Sequence, residues 1–236
     1  MRHCHGTNRA NRCPRCTLPP RWCICEGMEP LDAGVAVDIL MHERESLRPS
    51  STGHLLGRVV KDLRTHIWDA GRMPGWEEIQ RPDAELWILH PQGEALPAAP
   101  TDKRVQVLLI DGSWKQSAQM MKSVRGHGRR VRLEMAGESR FWLRGQSNEG
   151  RFSTAEALIG LLGALGLQAQ HEALRRMFEL HVYAMLCARG EKTQAAEYLQ
   201  HSPIAAAHPE LIARLSHCSR DERDRRWAME RGEDLA

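Results

Sequence analysis

Short apolar runs alternate with amphipathic stretches along most of this chain. Val35-Ala36-Val37-Asp38-Ile39-Leu40-Met41, Leu86-Trp87-Ile88-Leu89-His90 and Val105-Gln106-Val107-Leu108-Leu109-Ile110 have the length and β-branched content of buried strands. Val131-Arg132-Leu133 reads as a short strand and Phe141-Trp142-Leu143 as another. Between them the period changes. Ser50, Ser51 and Thr52 offer capping oxygens for a helix through about His66, with Leu55, Leu56, Val59, Val60 and Leu63 on its apolar face. A helix after Trp114 turns Ala118, Met121 and Val124 inward, and Ser153-Thr154-Ala155-Glu156 is a capping box opening a helix to about Leu167. Helices at about 170–189 and 191–200 follow, while 42–49 and 91–102 read as loops. Strands alternating with helices predict an α/β fold with a largely parallel sheet.

The 236 residues suffice for one large domain or one domain with a small appendage. No apolar run approaches the ~20 residues of a membrane span. The start, Met1-Arg2-His3-Cys4-His5, has no apolar stretch behind its charges, so it is not a secretory signal and a cytoplasmic protein is expected. Net charge is only +3, so distribution matters more than total. Residues 1–25 carry Arg2, Arg9, Arg12, Arg15 and Arg21 without an acid; residues 122–132 carry Lys122, Arg125, Arg129, Arg130 and Arg132 with His127, again without one. Such stretches suit a polyanion or a solvated surface equally.

Four of seven cysteines fall within thirteen residues: Cys13-Pro14-Arg15-Cys16, then Cys23-Ile24-Cys25. A CxxC knuckle converges two thiolates, and a CxC in extended chain presents two more to one side. Four thiolates make the closed tetrahedral site that structural zinc prefers. A redox pair is the alternative, but redox CxxC normally opens a helix beside a strand, and the prolines at 14, 19 and 20 fit neither. Cys4 with His3 and His5 is a weaker cluster. Residues 1–30 are thus expected to be a zinc module too small for its own apolar core.

In parallel sheets, ligands sit beyond the carboxyl ends of strands. Asp111-Gly112-Ser113-Trp114 lies at such an end; its ordinary role would be helix capping and core packing. The polar loop 144–156 and the loop 42–52 also feed helix starts, and together the three junctions suggest one composite small-molecule site. A Rossmann glycine fingerprint, a Walker lysine, HExxH and GxSxG are all absent.

Taken in order, these motifs resemble the DTW-domain family, the tRNA-uridine aminocarboxypropyltransferases. The resemblance runs from about Cys13 to Tyr198. It rests on Cys13-x2-Cys16-x6-Cys23-x-Cys25, on His42-Glu43 followed by Arg48 to Leu56, on Leu109 to Trp114, and on Phe141 to Arg144 with Phe152 to Ala157. Ser113 stands where the name-giving motif has Thr, and Ser147 follows Gln146 where Pro is expected. The resemblance implies a SPOUT-like α/β fold with a C-terminal trefoil knot, arranged as a zinc module (1–30), a catalytic domain (31–200) and a helical tail (201–236). It implies transfer of the 3-amino-3-carboxypropyl group of S-adenosylmethionine to N3 of a tRNA uridine, in the variable loop for bacterial relatives. Ser51, Thr52, Ser153, Thr154 and Glu156 would hold the donor, Arg144 would pair with the donor carboxylate or a tRNA phosphate, and Trp114 would pack on the donor. Asp111, with Ser113 and Trp114, would form the catalytic group, Asp111 either orienting the donor amino group or accepting the N3 proton. Cys13, Cys16, Cys23 and Cys25 would bind zinc; Arg12, Arg15, Arg21, Arg125, Arg129, Arg130 and Arg132 would bind tRNA. Neither DNA nor a membrane is expected as a partner, and a monomer is the default state. A SPOUT-type RNA methyltransferase and a non-catalytic zinc-dependent RNA-binding module are the rival readings.

Overall fold

A computed structural model of the protein describes residues 12–69, 72–97, 103–144 and 151–217. His3, Cys4, His5, Gln146, Ser147 and the tail beyond 217 lie outside the described residues. The chain divides into two compact units, one of Glu29–Phe178 and one of Met1–Met28 with Glu179–Ala236.

The first unit is built on a five-stranded sheet in the order β2-β1-β4-β3-β5, every strand pair parallel. The strands are β1 (Ala36–His42), β2 (Arg64–Trp68), β3 (Ala84–Ala95), β4 (Arg104–Asp111) and β5 (Arg129–Arg132). Every residue of β1 is buried, as a strand covered on both faces requires. On one face Leu40, Leu86, Ile88 and Leu108 pack with Trp68, Ile79, Met120 and Val124, the last three coming from α3 (Trp76–Ile79) and the end of α4 (Trp114–Ser123). The alternate residues face the other way, where α2 (Thr52–Val59) and α5 (Thr154–Ala164) pack on each other and α5 on β4.

Several sequence expectations change here. The helix expected to reach His66 stops at Val59: Val60 is extended and bridges Leu31, and Asp62 adopts a left-handed φ of 55°. Arg64–Trp68 then runs as β2, an alternating segment whose β-branched Thr65 and Ile67 suit a strand. Within the expected loop 42–49, Glu43–Ser46 forms one helical turn, α1. From α4 and its C-cap, Met120 and Val124 are buried in the core and Met121 packs against it partly buried; of the residues expected inward only Ala118 is exposed. Phe141–Leu143 is a turn, not a strand, with Phe141 and Leu143 buried. β3 continues into the expected loop as far as Ala95, shifting register against β5 between Leu89 and Glu94. Gly93 makes this possible, because a Cβ there would lie 2.6 Å from the Val131 backbone.

In the second unit, two short 3-10 turns, Pro20–Trp22 and Cys25–Gly27, follow the CxxC segment. The helix α6 (Gln168–Arg189) contains the boundary between the units, and α7 (Lys192–Gln200), α8 (Ile204–Ala207) and α9 (Pro209–His217) complete the described chain. Among the described residues, no helix is long and apolar enough to cross a membrane.

Candidate active site and candidate metal centre

At the carboxyl end of β4 the chain turns into α4 through Gly112 and Ser113. Ser113 caps the helix in a reciprocal box: its hydroxyl accepts from the Gln116 amide (3.4 Å), and the Gln116 side chain accepts from the Ser113 amide (2.7 Å). Ser153 does the same for α5 with Glu156. Each serine uses a lone pair as the cap, so its O–H can still donate to a ligand.

Asp111 sits between the two helix starts, 5% exposed. The Ser51 hydroxyl donates to one carboxylate oxygen and the Thr154 hydroxyl to the other, both at 2.7 Å. Thr52 accepts from the Ala155 amide at 3.3 Å, tying α2 to α5. Gly53 permits this approach: a Cβ would stand 2.4 Å from the Asp111 carboxylate and 2.7 Å from Met41. Burial pushes the Asp111 carboxyl above the ordinary carboxylate range, and Glu45 adds to the rise; the two hydroxyls and Arg144 oppose it without cancelling it.

Asp111 opens onto a cavity of about 610 Å³, a size suited to a cofactor-sized ligand. The cavity brings together Thr52, Ser113, Trp114, Arg132, Arg144, Ser153 and Thr154, seven residues that the sequence singled out. Leu89, Leu109, Met121, Leu133 and Phe141 give it an apolar wall. Ser51 and Glu156 do not line it. Ser51 holds Asp111 from behind. Glu156 accepts from the Ser153 amide (2.7 Å), the Ser139 hydroxyl (2.9 Å) and the Arg140 amide (2.6 Å), which fastens the 139–143 turn to the start of α5.

Three further residues emerge. Glu45, buried in α1, receives both terminal nitrogens of Arg144 (2.7 and 3.3 Å) and pairs with Arg48 at 2.9 Å. It thereby fixes the Arg144 guanidinium on the cavity wall from 99 residues away. Arg48 and Arg151 also line the cavity, the latter 5.1 Å from the Trp114 ring centroid. Arg151 lies in a loop whose polarity was visible, whereas Glu45 read as one more charge in a polar loop.

The four cysteines converge in the second unit. All four Sγ atoms lie within 4.8 Å of one another, with separations of 3.5 Å (Cys13–Cys25), 3.7 Å (Cys13–Cys23) and 3.8 Å (Cys16–Cys23). Tetrahedral zinc with ~2.3 Å bonds has S–S edges of about 3.8 Å, so the donor set and its spacing fit that ion. Burial pushes the Cys13 thiol up, but amides of Cys16 and Arg15 and the neighbouring thiols hold it down to about 6; Cys16 and Cys25 are pushed up by burial. Arg214 braces the loop through Glu26 (3.0 Å) and the Cys23 carbonyl (3.5 Å).

The candidate RNA-contacting arginines divide by their partners. Arg125 and Arg130 are exposed, while Arg129 pairs with Glu94 at 2.9 Å and Arg132 with Glu134 at 3.1 Å. In the cysteine unit Arg15 is exposed, Arg12 donates to the Thr17 carbonyl at 2.9 Å, and Arg21 lies 3.9 Å over the Trp22 ring.

Fold and site together define an α/β protein with a ligand cavity beyond the carboxyl ends of a parallel sheet, joined in one chain to a four-thiolate group that can hold a metal ion. The family model described as the DTW domain matches residues 10–186, and the chain belongs to the DTW-domain family. It is similar to tRNA-uridine aminocarboxypropyltransferase 2 of Drosophila melanogaster, 26% identical over 170 residues that cover 67% of this chain and 68% of the relative. No solved structure is a significant match.

Proposed function

We propose that this protein transfers the 3-amino-3-carboxypropyl group of S-adenosylmethionine to N3 of a tRNA uridine, in the variable loop. The observation that carries the reading is the buried Asp111 carboxylate, held by Ser51 and Thr154 at the floor of a cavity with an apolar wall and a fixed guanidinium. Family membership and the similarity to a protein named for this transfer support it. S-adenosylmethionine, a substrate here, supplies a sulfonium-activated carbon: the C–N3 bond forms as the C–S bond breaks, and the electron pair stays on sulfur in a neutral thioether.

The chain's residues fit such a donor. Arg144, immobilised by Glu45, would pair with its carboxylate. The O–H groups of Ser153 and Ser113 and the amides opening α5 would hold its polar end, with Thr52 beside them. The apolar wall would take the adenine. Because burial raises its pKa, Asp111 is a stronger base than an exposed aspartate, and it would take the N3 proton in step with bond formation. Positioning decides which carbon of the sulfonium meets the uridine.

The same reading gives zinc to Cys13, Cys16, Cys23 and Cys25 as a structural ion. It gives tRNA phosphates to Arg12, Arg15 and Arg21 in one unit and to Arg125 and Arg130 in the other, with Arg129 and Arg132 exchanging their glutamate partners for phosphate. It carries a SPOUT-like fold with a knotted C-terminal part, a cytoplasmic location and a monomeric state. Nucleoside mass spectrometry of unmodified tRNA after incubation with the protein and S-adenosylmethionine tests the reaction. Aminocarboxypropyl-uridine is expected; a methylated base would make the protein a methyltransferase, and bound tRNA without any product would leave a binding module.

A further inference from the structure

Among the described residues three large hydrophobic side chains are exposed: Leu47, Ile67 and Trp114. Of these, Trp114 alone lines the cavity, with 47% of its surface open. Trp68 and Trp87, by contrast, are buried in the sheet unit. The Trp114 backbone is fixed, because it is the first residue of α4 and follows the Ser113–Gln116 box directly. Its ring stands at the open side of the cavity, three residues beyond the buried Asp111.

A planar group arriving from solvent therefore meets the indole before it meets the carboxylate. A donor adenine has little need of that ring, since Leu89, Leu109, Met121, Leu133 and Phe141 already provide an apolar surface, with Leu109 and Phe141 buried. An indole with about half its surface open to water and a guanidinium 5.1 Å over one face offers its other face to a stacking nucleobase, with the cation placed to take the adjoining phosphate.

We propose that Trp114 is the platform for the acceptor uracil and that Arg151, over the opposite face of the indole, engages the target nucleotide's phosphate. This assigns Trp114 to the acceptor rather than to the donor, and it rests on the tRNA-uridine reading of the site. The base, once out of its own stack, lies against the indole with N3 directed inward to Asp111.

The test uses the full chain and compares Trp114→Ala and Trp114→Phe with the unaltered protein. Trp114→Ala should raise KM for tRNA by about tenfold or more, leave S-adenosylmethionine affinity unchanged, and weaken binding of a short oligouridine. Trp114→Phe, which keeps an aromatic face, should restore most of both losses. Weakened donor binding with an unchanged tRNA KM would overturn the proposal and return Trp114 to the donor. Equal losses toward both substrates, with a lowered thermal midpoint, would make the residue structural. The oligouridine titration needs no turnover: if the unaltered protein forms no uridine product, the reaction proposed above fails, whereas oligouridine affinity indifferent to Trp114→Ala sinks the platform by itself.

Discussion

Asp38 and Asp111 are buried carboxylates on adjacent parallel strands, and their surroundings drive them in opposite directions. Asp38 lies toward the amino end of β1, where it receives Arg64 (2.7 Å), His66 (2.8 Å), Arg81 (2.8 Å) and Gln106 (3.1 Å). Burial pushes its carboxyl up, but His66, Arg64 and Arg81 outweigh that and hold it below the ordinary range. Asp111, at the carboxyl end of β4, has two hydroxyls and no guanidinium in contact, so burial prevails and its carboxyl is raised. The same side chain in the same sheet is a saturated structural ion at one end and, on the proposed reading, a base at the other. Partner chemistry and access to the cavity make the difference; burial alone does not.

The largest expected effect breaks the reactive member. Asp111→Ala should lower aminocarboxypropyl transfer by about a thousandfold, within the range for loss of a general base, measured as single-turnover formation of the modified nucleoside. Its stability effect has the opposite sign from a structural ion's. A raised folded-state pKa means that ionised Asp111 is penalised on folding, a penalty present at neutral pH and relieved as pH falls through the raised value. Asp111→Asn should therefore leave the thermal midpoint unchanged or higher while turnover is lost. The acid limb of the kcat/KM profile should lie above the ordinary aspartate value of about 3.9.

Next comes the structural member. Asp38→Asn should reduce the free energy of unfolding by about 3 kcal/mol in urea titrations, the low end for a buried ion pair because Arg64 is partly solvated. The stability that Asp38 contributes is fully present above its unfolded value and lost as pH falls through its depressed folded one. The Asn variant should lack that acid-side loss. Donor affinity should hold in Asp38→Asn, and a loss there without loss of stability would erase the distinction between the two aspartates.

A smaller effect sharpens the comparison at Glu45, the carboxylate that contributes to the rise at Asp111 and anchors Arg144. Glu45→Gln should weaken S-adenosylmethionine binding by about tenfold, the scale of one charge-assisted hydrogen bond, as read by titration calorimetry. It should also move the acid limb of the activity profile downward, a shift that loosened packing would not produce.

These partner sets were unevenly legible in the sequence. The four thiolates stood within thirteen residues, so their spacing alone brought them together. Asp111 at a strand end and the two capping serines were visible for the same local reason. Asp38 was hidden inside an apolar run, because its neutralising partners arrive from β2, β4 and residue 81. Glu45 was hidden in a polar loop, its partner Arg144 lying 99 residues away. The segment 60–68 misled because Val60 and Leu63 continue a helical spacing, while the left-handed turn at Asp62 and the edge pairing of β2 are tertiary outcomes. The basic run 122–132 looked free of acids along the chain, yet Glu94 on the neighbouring β3 meets Arg129 across it.

On the proposed reading this cavity directs the aminocarboxypropyl carbon, with Asp111 as base, to a uridine. The most direct measurement supplies S-adenosylmethionine labelled either at the carboxyl carbon or at the methyl carbon to unmodified tRNA, with the unaltered protein and Asp111→Asn in parallel. Only carboxyl label is expected to enter the tRNA, in uridine, and Asp111→Asn is expected to abolish its transfer. Methyl label in the tRNA, or undiminished carboxyl transfer by Asp111→Asn, would contradict that reading.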